Sequence, residues 1–420
     1  RPAGRPEPRP PGGRQAGVAA MRLSDLGNEF VGPIRIGTKT KCDAGKERPP
    51  ADATAIGCRV ESQATLFVVH DTGSTNLWIT SDLCNAGPCV QKGRHRYNHS
   101  ASETYKDPGA SRDLTIQFGT GKIVGRQGKD DIRVGPYLVK GQVFGMIRAQ
   151  EGGIFEQVKL EGILGLGFPA MSANGATPFF DNMIQQHSLD RMEFSFYFSL
   201  DHPSANAIFW GGVHPQFYEG SIEYFPVTDP YYWATDLVSF RIGHEELLTG
   251  PRAAPLEGDR ARWAFADRPK AIVDSGTTFF TAQGQLFVQV MERLREAKCA
   301  DVTDESHPAI AFTLVNAAGQ RREFAFTSGQ YMLPDGERCV AAFMRIEVPP
   351  EHGPAMILGE VFLRYYYSVF DRGDGTPEKA RIGLAKAKHD AGAETTLRAL
   401  TKGQPAFAPQ VSPGRVSARE

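Results

Sequence analysis

Two short stretches of the chain carry carboxyl groups in a setting that suits acid–base chemistry. Residues 67–78 contain the run Asp71-Thr72-Gly73-Ser74, and residues 271–278 contain the run Asp274-Ser275-Gly276-Thr277. Each run follows an apolar, β-branched segment, which predicts a strand that carries the carboxylate out of a sheet. The glycine lets the backbone turn sharply and approach a symmetry mate. Two copies in one chain indicate a duplicated half-domain whose two aspartates meet across a pseudo-twofold axis.

Two carboxyl groups held close together can hydrolyse an amide without a metal ion. They cannot both ionise comfortably, so their titrations split and the pair shares one proton. The ionised member takes a proton from water as a general base, and the protonated member stabilises the developing oxyanion. The sequence does not assign these roles between Asp71 and Asp274. The ten histidines fall in no H-E-x-x-H or similar pattern, so we expect no metal site and no cofactor.

A single Asp-Thr-Gly is ordinarily a solvated β-turn, so the pairing needs further support. A glycine-rich turn between two strand-like segments predicts a hairpin at residues 114–125. An Ile-Leu-Gly segment follows each aspartate, at residues 163–165 and 357–359. The Ile-Leu-Gly segment in each half, together with the single hairpin, favours a catalytic pair over two unrelated surface turns.

From about residue 30 to about residue 387, the chain resembles the pepsin-like aspartic proteases of family A1. The likeness rests on both Asp-centred runs, the glycine-rich hairpin and the two Ile-Leu-Gly segments. It implies a mostly β, bilobal fold, with an active-site cleft between two pseudo-symmetric β lobes. It also implies an aspartic endopeptidase that acts on peptides or proteins and binds statine-type inhibitors. A non-catalytic binding protein on the same fold and an inactive zymogen fragment are the alternatives.

The resemblance also assigns roles to individual residues. Asp71 and Asp274 match the catalytic pair, and Thr72 and Ser275 match hydroxyls that cross-brace the two loops. The other residues that match supports of the pair are Gly73, Ser74, Gly276 and Thr277, of which Ser74 and Thr277 would bond the outer carboxylate oxygens. The predicted hairpin matches the flap that closes over bound peptide. The residues expected in the flap and the substrate pockets are Phe118, Gly119, Thr120, Trp78, Ile163 and Tyr218.

Phe118 departs from the family pattern, because most relatives have tyrosine there. The tyrosine hydroxyl usually bonds the indole that matches Trp78, and its loss costs about 1 kcal/mol. A flap phenylalanine recurs in some plasmepsin-like, apicomplexan maturases of the secretory pathway, which suggests a processing protease of that kind. Together with Ile163, the two aromatic residues suggest a preference for hydrophobic or aromatic substrate side chains.

Composition narrows the remaining function classes. The chain has 420 residues, of which 41% are hydrophobic and 23% charged, which fits two lobes of a globular protein. A net charge of −1 gives no electrostatic case for nucleic acid or an anionic membrane surface. No apolar run reaches transmembrane length. We therefore expect a monomer without a membrane span, working at mildly acidic or near-neutral pH.

Six cysteines are an even number in short-range or same-half spacings, which favours disulfides over free thiols. That places the chain in the secretory pathway, in a vesicle or lumen, or outside the cell. A bridge between Cys42 and Cys58 would staple the base of an inserted loop. The family resemblance implies bridges Cys84–Cys89 and Cys299–Cys339. Asn98 begins a glycosylation sequon.

The predicted division of the chain has four parts. Residues 1–26, rich in Pro, Gly and Arg, are expected to be a disordered lead or the remnant of a zymogen prosegment. A basic cap over the acidic cleft is the alternative. Residues 27–208 form the N-terminal β lobe and residues 209–387 the C-terminal β lobe. Residues 388–420 are expected to be a disordered tail.

His70 stands where relatives mostly have an apolar residue. Strand alternation directs it to the face opposite Asp71, so a structural histidine is favoured over a third catalytic group. If His70 is buried and neutral, its pKa falls below about 6.5 and its contribution to stability is lost in acid. Replacing it with phenylalanine is then expected to extend stability toward acid.

Overall fold

The computed structural model describes residues 18–27, 29–42, 58–109, 113–118, 121–152, 154–157, 160–200, 202, 205–249 and 268–405. The protein is mostly β, with 47% strand and 18% helix, as the sequence predicts. The strands of the first half are β1 (Ala19–Asp25), β2 (Phe30–Cys42), β3 (Cys58–Asp71), β4 (Leu77–Thr80), β5 (Asp113–Phe118), β6 (Gly121–Val134), β7 (Tyr137–Glu151), β8 (Gly162–Gly165), β9 (Glu193–Tyr197) and β10 (Asn206–Trp210).

The strands of the second half are β11 (Tyr218–Pro226), β12 (Ala234–Ile242), β13 (Glu245–Thr249), β14 (Lys270–Val273), β15 (Phe280–Ala282), β16 (Ala297–Lys298), β17 (Ile310–Val315), β18 (Arg321–Phe326), β19 (Met332–Asp335), β20 (Arg338–Ala341), β21 (Phe343–Arg345), β22 (Ala355–Leu358), β23 (Tyr366–Asp371) and β24 (Arg381–Ala387). The α-helices are α1 (Ile154–Gln157), α2 (Phe179–Gln185), α3 (Gly284–Arg293), α4 (Ser328–Tyr331), α5 (Glu360–Leu363) and α6 (Ala391–Leu400).

The strands form three sheets within the described part of the chain. The largest has the order β11-β24-β23-β9-β10-β1-β2-β3-β8-β4-β7-β6-β5. Its first six strands come from both halves of the sequence and connect the lobes, and we call them the connecting sheet. A second sheet in the C-terminal half has the order β18-β17-β12-β14-β22-β15-β21, with β13 on β12, and β16-β20-β19 form the third.

The same strand arrangement occurs once in each half and ends in each Asp-centred run. β3 pairs in parallel with β8, and β14 pairs in parallel with β22. β4 then returns antiparallel to β8, as β15 does to β22. β8, β14 and β22 are buried at every position, as expected for parallel strands covered on both faces. The duplication inferred from the sequence is therefore present in the topology.

Aromatic side chains pack the two halves against the connecting sheet. The ring of Trp233, just before β12, lies 4.6 Å from Phe168 of the first half. It also contacts Phe194 of β9 and Phe370 of β23, at 6.0 and 5.2 Å between centroids. Such offset and edge-to-face contacts add to the stabilisation from apolar burial.

Two segments expected to be disordered are ordered. Residues 19–25 form β1, because Met21 and Leu23 bury their side chains and the backbone pairs with β10. Residues 391–400 form α6, because Asp390 accepts a hydrogen bond from Ala393 N as an N-cap and Leu397 is buried. The expectation of disorder is wrong for these residues, whereas the origin of residues 1–26 in a prosegment stays a prediction. Residues 1–17 and 406–420 lie outside the described residues, and the lobe boundaries remain a prediction.

Three disulfides are present: Cys42–Cys58, Cys84–Cys89 and Cys299–Cys339. They agree with the pairings expected from the sequence. The first closes the end of the β2–β3 hairpin, and the inserted residues 43–57 lie outside the described residues. Asn98 is exposed, and its side chain accepts a hydrogen bond from Ser100 N at 3.0 Å. Among the described helices, none is both long and apolar enough to cross a membrane.

Candidate active site

The first Asp-centred run begins at the last residue of β3. Asp71 is held by its own loop: Gly73 N donates to Oδ1 at 2.8 Å, and Ser74 Oγ donates to Oδ2. Leu166 N, just beyond β8, donates to the Asp71 backbone oxygen at 2.7 Å. The side chain and the backbone of the aspartate are therefore both fixed.

The second run repeats this geometry at the end of β14. Gly276 N donates to Asp274 Oδ1 at 2.8 Å, and Thr277 Oγ1 donates to Oδ2 at 2.6 Å. Asp274 N donates to Leu358 O of β22 at 3.2 Å. The threonine thus replaces the serine of the first loop without loss of the hydrogen bond.

The two loops brace each other through a pair of hydroxyl side chains. Thr72 Oγ1 accepts from Ser275 N at 2.9 Å and donates to Val273 O at 3.0 Å. Ser275 Oγ accepts from Thr72 N at 3.1 Å and donates to His70 O at 2.6 Å. Each hydroxyl group therefore accepts a hydrogen bond from a backbone N–H of the opposite half and donates one to a backbone carbonyl there. We call these four bonds the cross-brace, and they fix one aspartate relative to the other.

Close approach of glycines brings the two carboxyl groups face to face. A Cβ atom on Gly73 would fall 2.4 Å from Asp274 Oδ2, and one on Gly276 would fall 2.2 Å from Asp71 Oδ1. Each carboxyl thus packs against the Cα of the opposite loop, which any side chain would prevent. Asp71 is 9% exposed and Asp274 is 6% exposed, so the pair is largely removed from water.

This arrangement changes the titration of the pair. Burial and the negative charge of Asp274 raise the pKa of Asp71 to about 7, against the opposing hydrogen bonds from Ser74 and Gly73. Asp71 therefore keeps its proton well above the pH at which a free carboxyl group loses it. A carboxyl group that is protonated near neutral pH can serve as the proton donor that amide hydrolysis requires.

Two further acidic residues lie near the pair, and the sequence analysis did not identify them. Glu360 begins α5, donates its backbone N–H to Thr277 O at 2.7 Å and is 1% exposed. Although burial outweighs them, the charge of Arg364 and a hydrogen bond from the backbone of Phe30 favour its ionised form. Burial, above all, raises the pKa of Glu360 well above its usual value. Burial, then the charges of Glu360, Asp71 and Asp274, does the same for the pKa of Glu29.

Glu360 could have been identified from the sequence by its position, because it directly follows the second Ile-Leu-Gly segment. Gly359 lies so close to the second loop that a Cβ atom there would be 2.3 Å from Thr277 O. The residue that follows this glycine must therefore enter the same buried region. Glu29 has no comparable pattern around it.

Trp78 and Ile163 lie together beside the first loop, as expected. They are paired across β4 and β8 and both are buried. The indole Nε1 of Trp78 has no hydrogen-bond partner in the described part of the chain, which fits the absence of a hydroxyl at position 118. The backbone of Phe118 ends β5 and pairs with Gly121 of β6, which gives the predicted hairpin. Gly119 and Thr120 lie outside the described residues.

Tyr218 begins β11, the edge strand of the connecting sheet, where its ring packs on Tyr367 at 5.2 Å between centroids. It lies against the aromatic cluster of that sheet. Its role in substrate binding stays a prediction.

Tyr232 lies near the pair, close enough to Asp274 for its charge to act on the phenol. Burial, followed by Tyr231, Asp229 and Asp274, raises the pKa of Tyr232 to about 12. Its neighbour Trp233 donates from Nε1 to Leu166 O at 2.9 Å, next to the first loop. The sequence signal was the Tyr-Trp pair directly before β12, which the sequence analysis did not assign to the site.

His70 points away from the pair, as strand alternation predicts. Its ring is buried, and Nδ1 lies 3.1 Å from Val68 O. Burial lowers the pKa of His70 to about 4. The side chain is thus a neutral structural group, while its backbone oxygen belongs to the cross-brace.

Comparison with known proteins agrees with this geometry. A family model described as eukaryotic aspartyl protease matches residues 55–387. The chain is 37% identical over 383 residues to aspartic protease 3 of Toxoplasma gondii, covering 90% of this chain and 53% of that protein. It is 29% identical over 427 residues to plasmepsin IX of Plasmodium falciparum, covering 89% and 63%. It is 32% identical over 379 residues to cathepsin E of Mus musculus, covering 87% and 82%.

This chain therefore spans between about half and two thirds of the length of the two apicomplexan relatives. The family match includes both Asp-centred runs, both Ile-Leu-Gly segments and the hairpin of β5 and β6. The chain belongs to the eukaryotic aspartyl protease family.

Proposed function

We propose that this protein is an aspartic endopeptidase that hydrolyses peptide bonds in protein substrates through a water held between Asp71 and Asp274. The observation that carries the proposal is the face-to-face packing of the two carboxyl groups, each against the glycine of the opposite loop. Family membership supports it. Neither loop has lost its aspartate, its glycine or its supporting hydroxyl.

The geometry suggests how the reaction proceeds. The ionised aspartate accepts a proton from the water, which attacks the scissile carbonyl carbon. The protonated aspartate donates a hydrogen bond to the carbonyl oxygen and stabilises the tetrahedral oxyanion. Ser74 and Thr277 donate to one oxygen of each carboxyl group, and the N–H groups of Gly73 and Gly276 donate to the other, which fixes the orientation of both acids. The proton taken from the water then passes from the aspartate to the amide nitrogen, the carbon–nitrogen bond breaks, and a carboxylic acid and an amine are released.

The surroundings of the pair suggest the substrate. Apolar and aromatic side chains lie around the pair: Trp78 and Ile163 are buried beside the first loop, and Tyr232, near Asp274, is partly exposed. We therefore expect a preference for hydrophobic or aromatic side chains at that position. The hairpin of β5 and β6, with Phe118 near its tip, is the proposed flap.

The setting in which the enzyme works belongs to the same proposal. Three disulfides support an oxidising compartment, and with the apicomplexan relatives they support a processing protease of the secretory pathway. A monomer, inhibition by statine-type compounds and glycosylation at the exposed Asn98 are further parts of the proposal.

The test is digestion of a peptide library between about pH 4 and pH 8, with and without a statine inhibitor. Cleavage is expected to stop in Asp71→Asn and in Asp274→Asn, and to persist in Asp107→Asn, which changes an exposed turn. Activity should fall as pH rises through about 7, because the pair then loses its shared proton. Full cleavage by either pair variant would contradict the proposal, and tight inhibitor binding without cleavage would indicate a binding protein.

A further inference from the structure

The outer edge of β1 is completed by a side chain from the C-terminal end of the described chain. β1 pairs with β10 over Ala19–Leu23 but with β2 only at Ser24 and Asp25. Opposite the unpaired stretch, Gln404 Oε1 accepts from Arg22 N at 3.0 Å, and Gln404 Nε2 donates to Ala20 O at 2.8 Å. One amide side chain thus makes the two hydrogen bonds that a neighbouring strand would make.

The side chain of Arg22 adds a second attachment. Its Nε and Nη2 donate to Thr401 Oγ1 at 3.2 and 3.0 Å. Thr401 is 1% exposed, and its hydroxyl donates in turn to Leu397 O of α6 at 2.8 Å. The guanidinium therefore lies at the C-terminal end of α6, where the helix dipole favours a positive charge.

α6 itself is fixed to the connecting sheet. Ala393 and Leu397 are buried in a cluster that includes Phe209 and Phe217. Just before the helix, Lys388 O accepts from the hydroxyl of Tyr197 at 3.0 Å. α6 and β1 both lie outside residues 55–387, the part that matches the family model. Their attachment is thus a feature of this chain that the family match does not include.

The inner face of β1 reaches the first catalytic loop. A Cβ atom on Gly32 would lie 2.8 Å from both His70 Cε1 and Leu23 Cδ2, and 3.0 Å from Met21 Cε. These three side chains therefore meet over the Cα atom of Gly32, and His70 is the residue that directly precedes Asp71. The backbone oxygen of His70 also accepts the cross-brace hydrogen bond from Ser275.

We propose that residues 388–405 form a latch that holds β1 in the connecting sheet, and that β1 in turn fixes the first catalytic loop through Met21, Leu23 and His70. Thr401 and Gln404 are positioning residues in this arrangement. Release of the latch frees the edge of β1, withdraws the packing behind His70 and loosens the cross-brace. The effect on catalysis rests on the proposed protease function, whereas the effect on the loop does not.

Amide hydrogen exchange, read by mass spectrometry on the full chain, tests the latch. The variant Thr401→Val/Gln404→Ala is compared with Thr395→Val, whose hydroxyl bonds only Ala391 O within α6 and is exposed. Exchange in peptides covering residues 19–25 and 70–76 is expected to be at least tenfold faster in the first variant, since their protecting contacts are released. In the Thr395→Val control these peptides should exchange as in the unchanged chain. Strands β17 and β18 should exchange as in the unchanged chain in both variants.

A double-mutant cycle keeps the test decisive if the double variant folds poorly. Arg22→Met and Thr401→Val each remove one side of the same contact, so their effects on β1 exchange should be strongly non-additive. Unchanged exchange at residues 70–76 when β1 is released would overturn the inference, as would additive effects in the cycle. None of these exchange measurements depends on peptide cleavage, so they test the latch even if the protein is not a protease. In an active enzyme, kcat is expected to fall with little change in KM.

Discussion

Single buried residues around the two aspartates have pKa values shifted in opposite directions. Carboxyl groups such as Asp71 and Glu360 are pushed toward their protonated form, and the imidazole of His70 toward its neutral form. The common cause is removal from water, which disfavours whichever form carries charge. The free energy of unfolding is therefore expected to fall in two pH ranges. It falls as pH rises, because the buried acids ionise, and as pH falls, because the histidine becomes charged.

Glu360 is expected to reduce stability as pH rises. Its pKa is raised in the folded protein, so its contribution is fully present below the unfolded value near 4.5 and is lost as pH rises through the folded value. Glu360→Gln mimics the protonated form and should unfold at higher denaturant concentration than the unchanged chain at neutral pH, but not at pH 4. Glu292→Gln, on the exposed face of α3, serves as the control. An equal midpoint for Glu360→Gln and the unchanged chain at neutral pH would contradict this account.

Protonation of His70 is expected to lower the stability of the folded protein in acid. Its pKa of about 4 lies below the unfolded value near 6.5, so its contribution is intact above pH 6.5 and falls away between pH 6.5 and 4. At roughly 1.4 kcal/mol per unit, the loss reaches about 3 kcal/mol. Because His70 packs tightly against Gly32, leucine is a better replacement than the larger phenylalanine. His70→Leu should keep its urea midpoint from pH 6.5 to 4, while His244→Leu, at an exposed position, loses stability like the unchanged chain.

At the scale of elements, the strands that end in the two Asp-centred loops could be predicted and the terminal elements could not. An apolar run before Asp-Thr-Gly or Asp-Ser-Gly predicts its strand from local pattern alone. β1 is short and follows a Pro- and Gly-rich segment, and α6 has few large apolar residues. Their stability comes from β10, Gln404 and a distant aromatic cluster. Such partners have no signature in the neighbouring sequence.

α6 allows a direct test of its packing. Leu397 is 1% exposed in the aromatic cluster, whereas Leu400, three residues later, is 42% exposed. Leu397→Ala removes buried apolar surface and leaves a cavity, which is expected to cost about 2 to 3 kcal/mol in free energy of unfolding. Leu400→Ala should change it by less than about 0.5 kcal/mol. Urea unfolding measures both, and equal effects would show that α6 does not pack as described.

At the scale of the whole molecule, the site exists only where the two halves meet. Each half supplies one aspartate, one cross-brace hydroxyl and one glycine against the opposite carboxyl. The sequence predicted this duplication and its chemistry, because both copies of the motif are local. It did not predict the acidic residues nearby, which approach from α5 and from the segment before β2.

The cross-brace should therefore couple the unfolding of the two halves. Thr72→Val/Ser275→Ala removes four hydrogen bonds that join the loops while preserving side-chain size closely. The matched control is Ser239→Ala/Thr313→Val, which removes one hydroxyl pair within the C-terminal sheet alone. Calorimetry is expected to resolve two transitions for the first variant, and the same number as the unchanged chain for the control, because only the first separates the lobes. If both variants gave the same thermogram, coupling would have to come from the connecting sheet and its aromatic cluster, and the cross-brace would serve only to align the two acids.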